Sequence, residues 1–467
     1  MTTGKIVISD KLGSVPLDEV EFRSSKASHP DCYVRLRKEP ASKEETEPKE
    51  VIIGHIRSLL QSSGGIFPFQ RYHTLPSPRL YWSLDADVGV ELVAKAMSRY
   101  RFEEILRFLP STDNQALNKD DKRAKIRPLM NHLNTKVAMA YPMDQHISLD
   151  EAMIEYFSWH GCKQCIRNKP VRFGFKSWCL DSPLGYLATF DVYQGIAFGL
   201  NRHYEERFGK GGDTLMILFE KLPSHIKDIP VRFYFNYFTS LPLVNHLQEI
   251  NYGATGTIRD NRIPKTCPIN STNEMKDVPR GDTDVVVDNI YKILLVRWKD
   301  NAVVSMVSNI SPVYPLESVS RWSAKDKKKI SVSQTYLIGD YNRHMGGTDR
   351  MDQNINCYRI SITMKKWWWP IFSWVIDATI QNCWLLHRVD ESNLPLLSFK
   401  RYIARTYPQQ AEPRVGIGRP RQSSRVIPDV RYDNIGHLVE PLGKQEFSDD
   451  DDDDDYGDDD DDIPDPN

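Results

Sequence analysis

Two aspartates three residues apart, Asp349 and Asp352, follow a Gly-Gly pair in the second half of the sequence. A third, Asp150, lies 199 positions before Asp349 (349 − 150) at the start of a strand-like segment, with Glu151 beside it. Mg²⁺ prefers such hard oxygen ligands, and two ions about 3.5–4 Å apart can activate an attacking oxygen and stabilise a leaving one. Asp150 and Asp349 are therefore candidate metal ligands for phosphodiester chemistry. Taken singly, an aspartate in such a position is more often a turn or cap residue.

Hydrophobic periodicity predicts the elements that would position these carboxylates. Segments rich in β-branched and aromatic residues, separated by Gly, Pro and Asp, predict three antiparallel strands at 147–157, 171–179 and 185–193. A capped amphipathic helix is predicted next, at 213–222, followed by a buried strand at 231–238. This order of strands and helix favours a three-layer α/β core.

Helices are predicted on both sides of this core. Residues 71–133 repeat apolar side chains at helical spacing, with basic residues between them. A second helical stretch begins in the Gly-Gly-Thr-Asp run, and the apolar segment 367–386 follows it. Because that segment contains Asp377, Gln381 and Asn382, it is predicted as a buried helix with one polar edge and not as a membrane span.

Several ordered motifs resemble those of piggyBac-type transposases and of the host proteins derived from them. The resemblance extends from about residue 70 to about residue 410, and its motifs lie at 72–82, 98–109, 147–153, 237–243 and in the Gly-Gly-Thr-Asp run at 346–349. It implies an RNase H-like catalytic core that cuts and rejoins DNA with aspartate ligands and Mg²⁺. By the same resemblance, Asp150 corresponds to the first catalytic aspartate, Asp349 to the third, and Asp352 to an additional acidic position.

The second catalytic aspartate that the resemblance implies is absent. The family has Asp-Asn-aromatic-Phe-Thr-Ser here, whereas this chain has Phe-Asn-Tyr-Phe-Thr-Ser. An ungapped match puts Phe235 in the place of the aspartate, and a one-residue deletion puts Asn236 there. Neither side chain supplies the charge that holds a hard cation, so we expect a catalytically defective relative, with Mg²⁺ as an ancestral cofactor whose binding here is in doubt. The alternative is a residual Mg²⁺-dependent transposase or nuclease that uses Asp150, Asp349 and Asp352.

The predicted fold class is α/β, with an RNase H-like catalytic core and a β-rich insertion, preceded by a helical domain and followed by a disordered acidic tail. Within the insertion, segments 292–298 and 302–308 predict a hairpin. The predicted boundaries are 1–70 for a flexible lead, 71–140 for a helical, partial dimerisation and DNA-binding domain, 141–254 and 335–410 for the two parts of the core, 255–334 for the insertion, 411–447 for a basic linker and 448–467 for the tail.

The formal net charge of −2 conceals a strong asymmetry. Thirteen aspartates and no basic residue lie between Asp449 and Asp465, so the rest of the chain has 61 Lys and Arg against 50 (63 − 13) acidic residues. A body with a net charge of +11 (61 − 50) is typical of a protein that binds phosphates, although a generic charged surface explains it equally well. The candidate DNA contacts are basic residues of loops and linkers: Lys163, Arg167, Lys169, Arg172, Lys365, Lys366, Arg419 and Arg421.

Two of these groups have more than one interpretation. The tryptophans at 367–369, directly after Lys365 and Lys366, could stack on unpaired bases, although core anchors are the favoured alternative. Arg419 and Arg421 resemble the core of a minor-groove AT-hook, in a short match within a basic linker.

Cysteine usage and the chain ends predict partners and location. Seven cysteines without framework spacing predict reduced thiols in the cytosol or nucleus, and Cys162 and Cys165 have no second pair at zinc spacing, so no zinc is expected. The Cys-rich end module of many relatives is not recognised, and their first domain is recognised only from Tyr72, which leaves a homodimer as an open question. The resemblance implies a nuclear protein whose partner is DNA. The acidic tail is hypothesised to compete with phosphates or to contact histones or another basic partner, and no membrane partner or secretion signal is expected.

Overall fold

The computed structural model describes most of the chain between residues 66 and 410. The described residues are 6–8, 66–70, 72–108, 117–118, 121–142, 144–167, 169–195, 202–360, 364, 366–389 and 393–410. The predicted basic linker and acidic tail lie outside them, as does most of the predicted lead. Of the candidate DNA contacts, Lys365, Arg419 and Arg421 also lie outside the described residues.

Among the described residues, ten strands form one mixed sheet and two more form a separate hairpin. In chain order the strands are β1 (Ile6–Ile8), β2 (His146–Glu155), β3 (Lys163–Cys165), β4 (Phe173–Asp181), β5 (Leu187–Val192), β6 (Arg232–Phe235), β7 (Gly253–Thr257), β8 (Thr283–Asp288), β9 (Ile293–Lys299), β10 (Val303–Ser308), β11 (Glu317–Ser323) and β12 (Lys328–Gln334). The large sheet has the order β1-β8-β9-β10-β7-β6-β2-β4-β3, with β5 also paired to β4, and β11 pairs with β12.

Helices precede, separate and follow the strands along the chain. In chain order they are α1 (Ile66–Phe69), α2 (Glu91–Ala96), α3 (Arg99–Phe108), α4 (Arg127–Met139), α5 (Arg202–Glu220), α6 (Ser224–Lys227), α7 (Leu241–Glu249), α8 (Tyr336–His344), α9 (Gly347–Cys357), α10 (Trp369–Val389) and α11 (Leu396–Gln410). Short 3-10 turns lie at Pro78–Trp82, Asp260–Arg262 and Glu274–Lys276.

Alternating side chains divide the core of the sheet into two clusters. Along β9, Ile293 and Leu295 belong to the larger cluster, whereas Leu294 and Val296 belong to the smaller one. Successive residues of a strand point to opposite faces, so a strand buried on both sides is continuously apolar. The sequence of β9 has this property, which explains its central place in the sheet.

The three antiparallel strands predicted for the first part of the core are confirmed as β2, β4 and β5. The short strand β3, which pairs with the beginning of β4, was not predicted. The strand predicted at 231–238 ends earlier, at Phe235, and runs parallel to both β2 and β7. The helix predicted at 213–222 is confirmed as the second part of α5. The backbone at Gly209, with φ of +78° and ψ of +171°, is not helical and separates this part from a helix that begins at Arg202 and was not predicted.

The predicted hairpin of the 255–334 segment is confirmed as β9 and β10. However, β10 also pairs with β7, in a register that puts Met306 opposite Thr257. Strands β8 to β10 therefore continue the large sheet. Of this segment, β11 and β12 form a sheet of their own.

Polar side chains fix α10 against the sheet. The Asn382 side chain accepts a hydrogen bond from Leu187 N and donates one to Leu187 O, both at 2.9 Å. Gln381 Nε2 donates to Gly185 O at 3.0 Å. Buried polar groups are tolerated where they are paired in this way, so the prediction of a buried helix with one polar edge is confirmed. No helix in the described part of the chain is long and apolar enough to cross a membrane.

Candidate active site

Three adjacent parallel strands bring the candidate catalytic positions to one edge of the sheet. In their register Leu149 of β2 lies beside Phe235 of β6, which lies beside Gly256 of β7. The next residues along these strands are Asp150, Asn236 and Thr257. Residues in the same register of parallel strands share a face, and Thr257 Oγ1 donates a hydrogen bond to Asn236 Oδ1. Asp150, Asn236 and Thr257 thus form one row across the three strands, on the same face of the sheet.

Phe235 lies on the other face of the sheet. Its side chain is fully buried (0% exposed) and belongs to the larger core cluster, together with Leu149 and Phe233. Of the two sequence alternatives for the missing aspartate, the structure therefore favours Asn236. A neutral amide stands where the second carboxylate would be needed.

Helix α9 brings Asp349 and Asp352 to the same edge, and a glycine allows its close approach. A Cβ atom at Gly347 would lie 2.4 Å from Ser182 O and 2.6 Å from Ser148 Oγ, which is closer than atoms can pack. Only a residue without a side chain can therefore begin α9 here. The Gly-Gly-Thr-Asp run is thus explained by the contact between this helix and β2.

The carboxylates at this edge act on one another. Burial raises the pKa of Asp150 to about 7, with Glu151 and Asp349 adding to the rise and Lys169 opposing it. Burial likewise raises the pKa of Asp352 to about 7, again opposed by Lys169 and increased by Asp349. These are the effects expected of like charges gathered in a poorly solvated place. The three candidate acids, Asp150, Asp349 and Asp352, therefore form one electrostatic cluster.

The ammonium group of Lys169 lies within this cluster. Its Nζ donates to Glu151 O at 3.1 Å and contacts Asp349 Oδ1 at 3.5 Å. Burial alone would lower the pKa of Lys169, but the carboxylates of Asp150 and Asp349 raise it, so the group stays charged. Lys169 was predicted to face the DNA backbone, whereas the structure directs it towards the acids.

A further buried carboxylate was missed from the sequence. Asp181, at the end of β4, accepts a hydrogen bond from Thr348 Oγ1 at 2.6 Å. Burial raises its pKa well above the usual value, and the charges of Asp352, Asp150 and Asp349 contribute to the rise. An aspartate before a Ser-Pro pair is typical of a turn, so the sequence has no signal for its pairing with Ser148 of β2 or for its hydrogen bond from Thr348 of α9.

The side chains present do not fit a two-ion centre. In the part of the chain that the structure describes, no three His, Cys, Asp or Glu side chains converge as metal ligands. A pair of hard cations needs carboxylates from each converging element. Here β6 is followed by the neutral Asn236 and not by a carboxylate. The Lys169 ammonium group also lies 3.5 Å from Asp349 Oδ1, so it already neutralises part of the negative charge that a cation would balance.

Next to the site, a second buried acid joins α8 to the sheet. Asp340 Oδ2 accepts hydrogen bonds from Tyr234 Oη at 3.0 Å and from Ser311 Oγ at 2.8 Å. His344 Nδ1 lies 3.2 Å from Asp340 Oδ1, and its ring stacks on His146 with centroids 3.9 Å apart. Burial alone would raise the pKa of Asp340, but the hydrogen bonds from His344, Ser311 and Tyr234 lower it to about 2.

Replacing this acid should destabilise the fold in a pH-dependent way. The drop in the pKa of Asp340 from 3.8 to about 2 corresponds to about 2 kcal/mol of stability at neutral pH. Because the folded-state pKa is lowered, this contribution is present above pH 4 and is lost as the pH falls towards 2. We expect Asp340→Asn to lower the free energy of unfolding by about 2 kcal/mol at pH 7 and by less at pH 3.5, measured by urea denaturation. The exposed Asp277→Asn is the control, and an equal loss at both pH values would contradict this interpretation.

The remaining candidate DNA contacts divide into two groups. Arg167 and Arg172 are exposed on the connection between β3 and β4, and Lys163 lies on β3. Lys366 instead donates to the carbonyls of Leu106 and Arg107 at 3.1 and 2.8 Å, so it is engaged at the end of α3.

The tryptophans that follow Lys366 pack inside the protein. Trp368 and Trp369 are buried, and Trp367 packs on the His160 ring with centroids 4.6 Å apart. For Trp368 and Trp369 the interpretation as core anchors is confirmed.

Comparison with known proteins gives the class to which this fold and site belong. A family model described as "Transposase IS4" matches residues 66–384, and the site lies within the matched region. The human PiggyBac transposable element-derived protein 3 is 38% identical over 403 residues, which cover 85% of this chain and 66% of that protein. The human PiggyBac transposable element-derived protein 2 is 35% identical over 378 residues, which cover 80% of this chain and 63% of that protein.

This chain belongs to the piggyBac-type transposase family. It spans about two thirds of the length of the two human relatives. A cryo-EM structure of a piggyBac transposase synaptic complex with hairpin DNA has a similar fold, with a TM-score of 0.58 and 17% sequence identity. The match covers 88% of this chain and 80% of that one, and confirms a mixed α/β fold.

Proposed function

We propose that this chain is a DNA-binding protein of transposase descent that has lost phosphodiester chemistry. The observation that carries the proposal is Asn236, which occupies the row of Asp150 at the edge of the sheet. Removing one member of a catalytic group that acts as a unit abolishes most of its rate. With Lys169 balancing the remaining charge, the donor set supports neither strong Mg²⁺ binding nor a two-ion mechanism.

The strand order supports an RNase H-like origin of the core. Strands β4 and β5 run antiparallel beside β2, whereas β6 and β7 continue the sheet in parallel on the other side. The first acid lies on β2 and the vacated position lies just after β6. We interpret α9, which carries Asp349 and Asp352, as the element that completes this ancestral site.

Charge and relatedness support DNA as the partner. The chain outside its acidic tail has a net charge of +11 (61 − 50), and the solved relative is described as a complex with hairpin DNA. Arg167 and Arg172 are exposed on the same connection as Lys169 and so adjoin the acidic site. We therefore propose that the chain acts in the nucleus and holds DNA across this edge. A homodimer and a histone-binding role for the acidic tail stay predictions.

Charge reversal on this connection tests the proposal. We expect Arg167→Glu combined with Arg172→Glu to weaken binding to a 30-base-pair duplex about 10-fold at 100 mM salt, and to reduce the slope of log K against log salt by about 2. The matched control combines Lys276→Glu with Lys292→Glu, two exposed lysines near the opposite end of the sheet. Fluorescence anisotropy over 50–200 mM salt measures both.

Two results would contradict the proposal. If the parent chain binds no duplex at 50 mM salt, the assignment of DNA as its partner is wrong. If the parent chain nicks supercoiled DNA with Mg²⁺ or Mn²⁺, and Asp150→Ala abolishes the nicking, the loss of chemistry is wrong. In that case the residual nuclease alternative is the better one.

A further inference from the structure

Three aromatic side chains are exposed together beside the candidate site. Trp159 is 90% exposed, Phe157 is 74% exposed and Phe173 is 46% exposed. Phe157 and Trp159 lie in the loop between β2 and β3, and Phe173 begins β4. We call these three residues the aromatic patch. Exposed apolar clusters of this kind mark interaction sites, whereas isolated exposed aromatics need no explanation.

The loop that presents the patch is fixed from its inner side. Tyr156 stacks on Phe175 with ring centroids 4.8 Å apart, and His160 packs on Trp367 at 4.6 Å. Lys163 N donates to His160 O at 2.9 Å, which closes the loop. The outward-facing rings are therefore presented by an ordered backbone, so a ligand that stacks on them loses little entropy in ordering it.

Basic groups surround the aromatic patch. Lys163 Nζ lies 5.8 Å from the centroid of the Phe173 ring and donates to Phe157 O at 2.7 Å. Arg167 and Arg172 are exposed on the connection that follows β3. Of the acids nearby, Glu155 is paired with Arg359 and Asp121 with Arg127. A ligand for this surface must combine flat, stackable groups with negative charge.

We propose that the aromatic patch binds unpaired bases of DNA, while Arg167 and Arg172 hold the adjoining phosphates. Bases stack on aromatic side chains without regard to sequence, and basic residues beside them follow the backbone. The connection from β3 to β4 also carries Lys169, whose Nζ reaches Glu151 O at 3.1 Å. A strand held by the patch therefore extends towards the acidic cluster. This inference rests on the proposed DNA-binding function and adds the preferred form of the DNA.

The test compares two forms of DNA that share the same 30 base pairs and differ in an unpaired overhang. The variant combines Phe157→Ala with Trp159→Ala, and the probes are a 30-base-pair duplex and the same duplex with a ten-nucleotide thymidine overhang. We expect affinity for the overhang probe to fall about 10-fold and affinity for the blunt duplex to change less than 2-fold. Trp159→Phe keeps an aromatic ring and should retain most of the preference.

Trp322→Ala is the matched control, because Trp322 is also exposed (58%) but lies on β11, in the separate hairpin. Thermal melting of every variant shows whether its fold is retained. A binding loss in Phe157→Ala/Trp159→Ala with unchanged melting and an intact blunt-duplex affinity supports the inference.

The outcomes separate this inference from the function on which it rests. If the parent chain binds no DNA, both fail. If it binds both probes and the patch variant loses affinity for neither, or equally for both, the stacking role is overturned while DNA binding stands. If the variant instead turns a dimer into a monomer in light scattering and leaves the probe preference intact, the patch is an interface between copies, and the inference is likewise overturned.

Discussion

Asn236→Asp is expected to give the chain a divalent-ion site. The substitution replaces an amide with a carboxylate of nearly equal size in the row of Asp150, so no repacking is needed. The new carboxylate follows β6, beside Asp150 of β2 and Asp349 of α9, so each converging element then provides an acid, as a pair of hard cations requires. At an ion concentration 100 times the dissociation constant, binding to the folded state alone would add about 2.7 kcal/mol of stability.

Two measurements check this expectation. Thermal melting with and without Mn²⁺ should show stabilisation of Asn236→Asp and little change in the parent chain. Nicking of supercoiled DNA should appear in the variant with Mn²⁺ or Mg²⁺ and should disappear when Asp150→Ala is added. If Asn236→Asp neither binds an ion nor nicks DNA, the amide is not the only lesion, and Lys169 becomes the next residue to test.

Phe235→Asp is the contrasting variant, because the ungapped match of the family motif places the aspartate there. Phe235 is fully buried on the opposite face of the sheet, against Leu149 and Phe233. Removing this ring and burying a charge without a partner should cost about 5 kcal/mol or more. We expect insoluble or unfolded protein. Soluble Phe235→Asp with metal-dependent nicking would show that the strand register inferred for Asn236 is wrong.

These two variants show what the sequence could and could not predict about the site. The order of the family motifs selects Asp150, Asp349 and Asp352 as candidates, and the structure gathers these three acids into one electrostatic cluster. Their catalytic role stays a prediction. The sequence could not decide whether Phe235 or Asn236 replaces the second aspartate, since a shift of one residue along a strand moves a side chain to the opposite face of the sheet. Only the parallel pairing of Leu149 with Phe235 separates Phe235 from Asn236.

The direction of charged side chains was also beyond the sequence. Lys169 and Lys366 lie in basic runs that are typical of DNA-binding surfaces, yet Lys169 contacts Asp349 and Lys366 contacts main-chain carbonyls of α3. A lysine has a flexible four-carbon stem, so its position in the chain does not determine where its ammonium group lies. Asp181 was missed because its sequence neighbours predict an exposed turn, whereas its side chain is buried and accepts a hydrogen bond from Thr348.

Fold class was more predictable than element boundaries. Strands β2, β4 and β5 follow clear β-branched and aromatic segments, and their antiparallel pairing was correctly predicted. The continuation of the sheet through β8 to β10 was not predicted, because pairing of β10 with β7 joins residues about 50 positions apart. Long-range pairings of this kind have no local signal in the sequence.

Lys169→Met is expected to destabilise the protein by about 3 kcal/mol at pH 8, because it removes the cation that balances several gathered carboxylates. The sign of the pH dependence follows from Asp150 and Asp352. Burial raises the pKa of each to about 7, so the folded state keeps protons that the unfolded state releases, and stability falls as the pH rises from about 4 to about 7.

Lys169 opposes this loss, since its charge stabilises the ionised acids. In Lys169→Met the loss of stability should therefore be steeper, with little difference from the parent chain at pH 4.5, where both acids are protonated. Urea denaturation at pH 4.5 and pH 8 measures the free energy of unfolding of the variant and of the parent chain.

Lys169→Arg should keep most of the stability. Lys176→Met replaces a half-buried lysine that packs on Trp178, and it should show no loss of stability that grows with pH. An equal loss for Lys169→Met at both pH values would mean that Lys169 acts through packing, and the remaining acids would then be free to accept a cation.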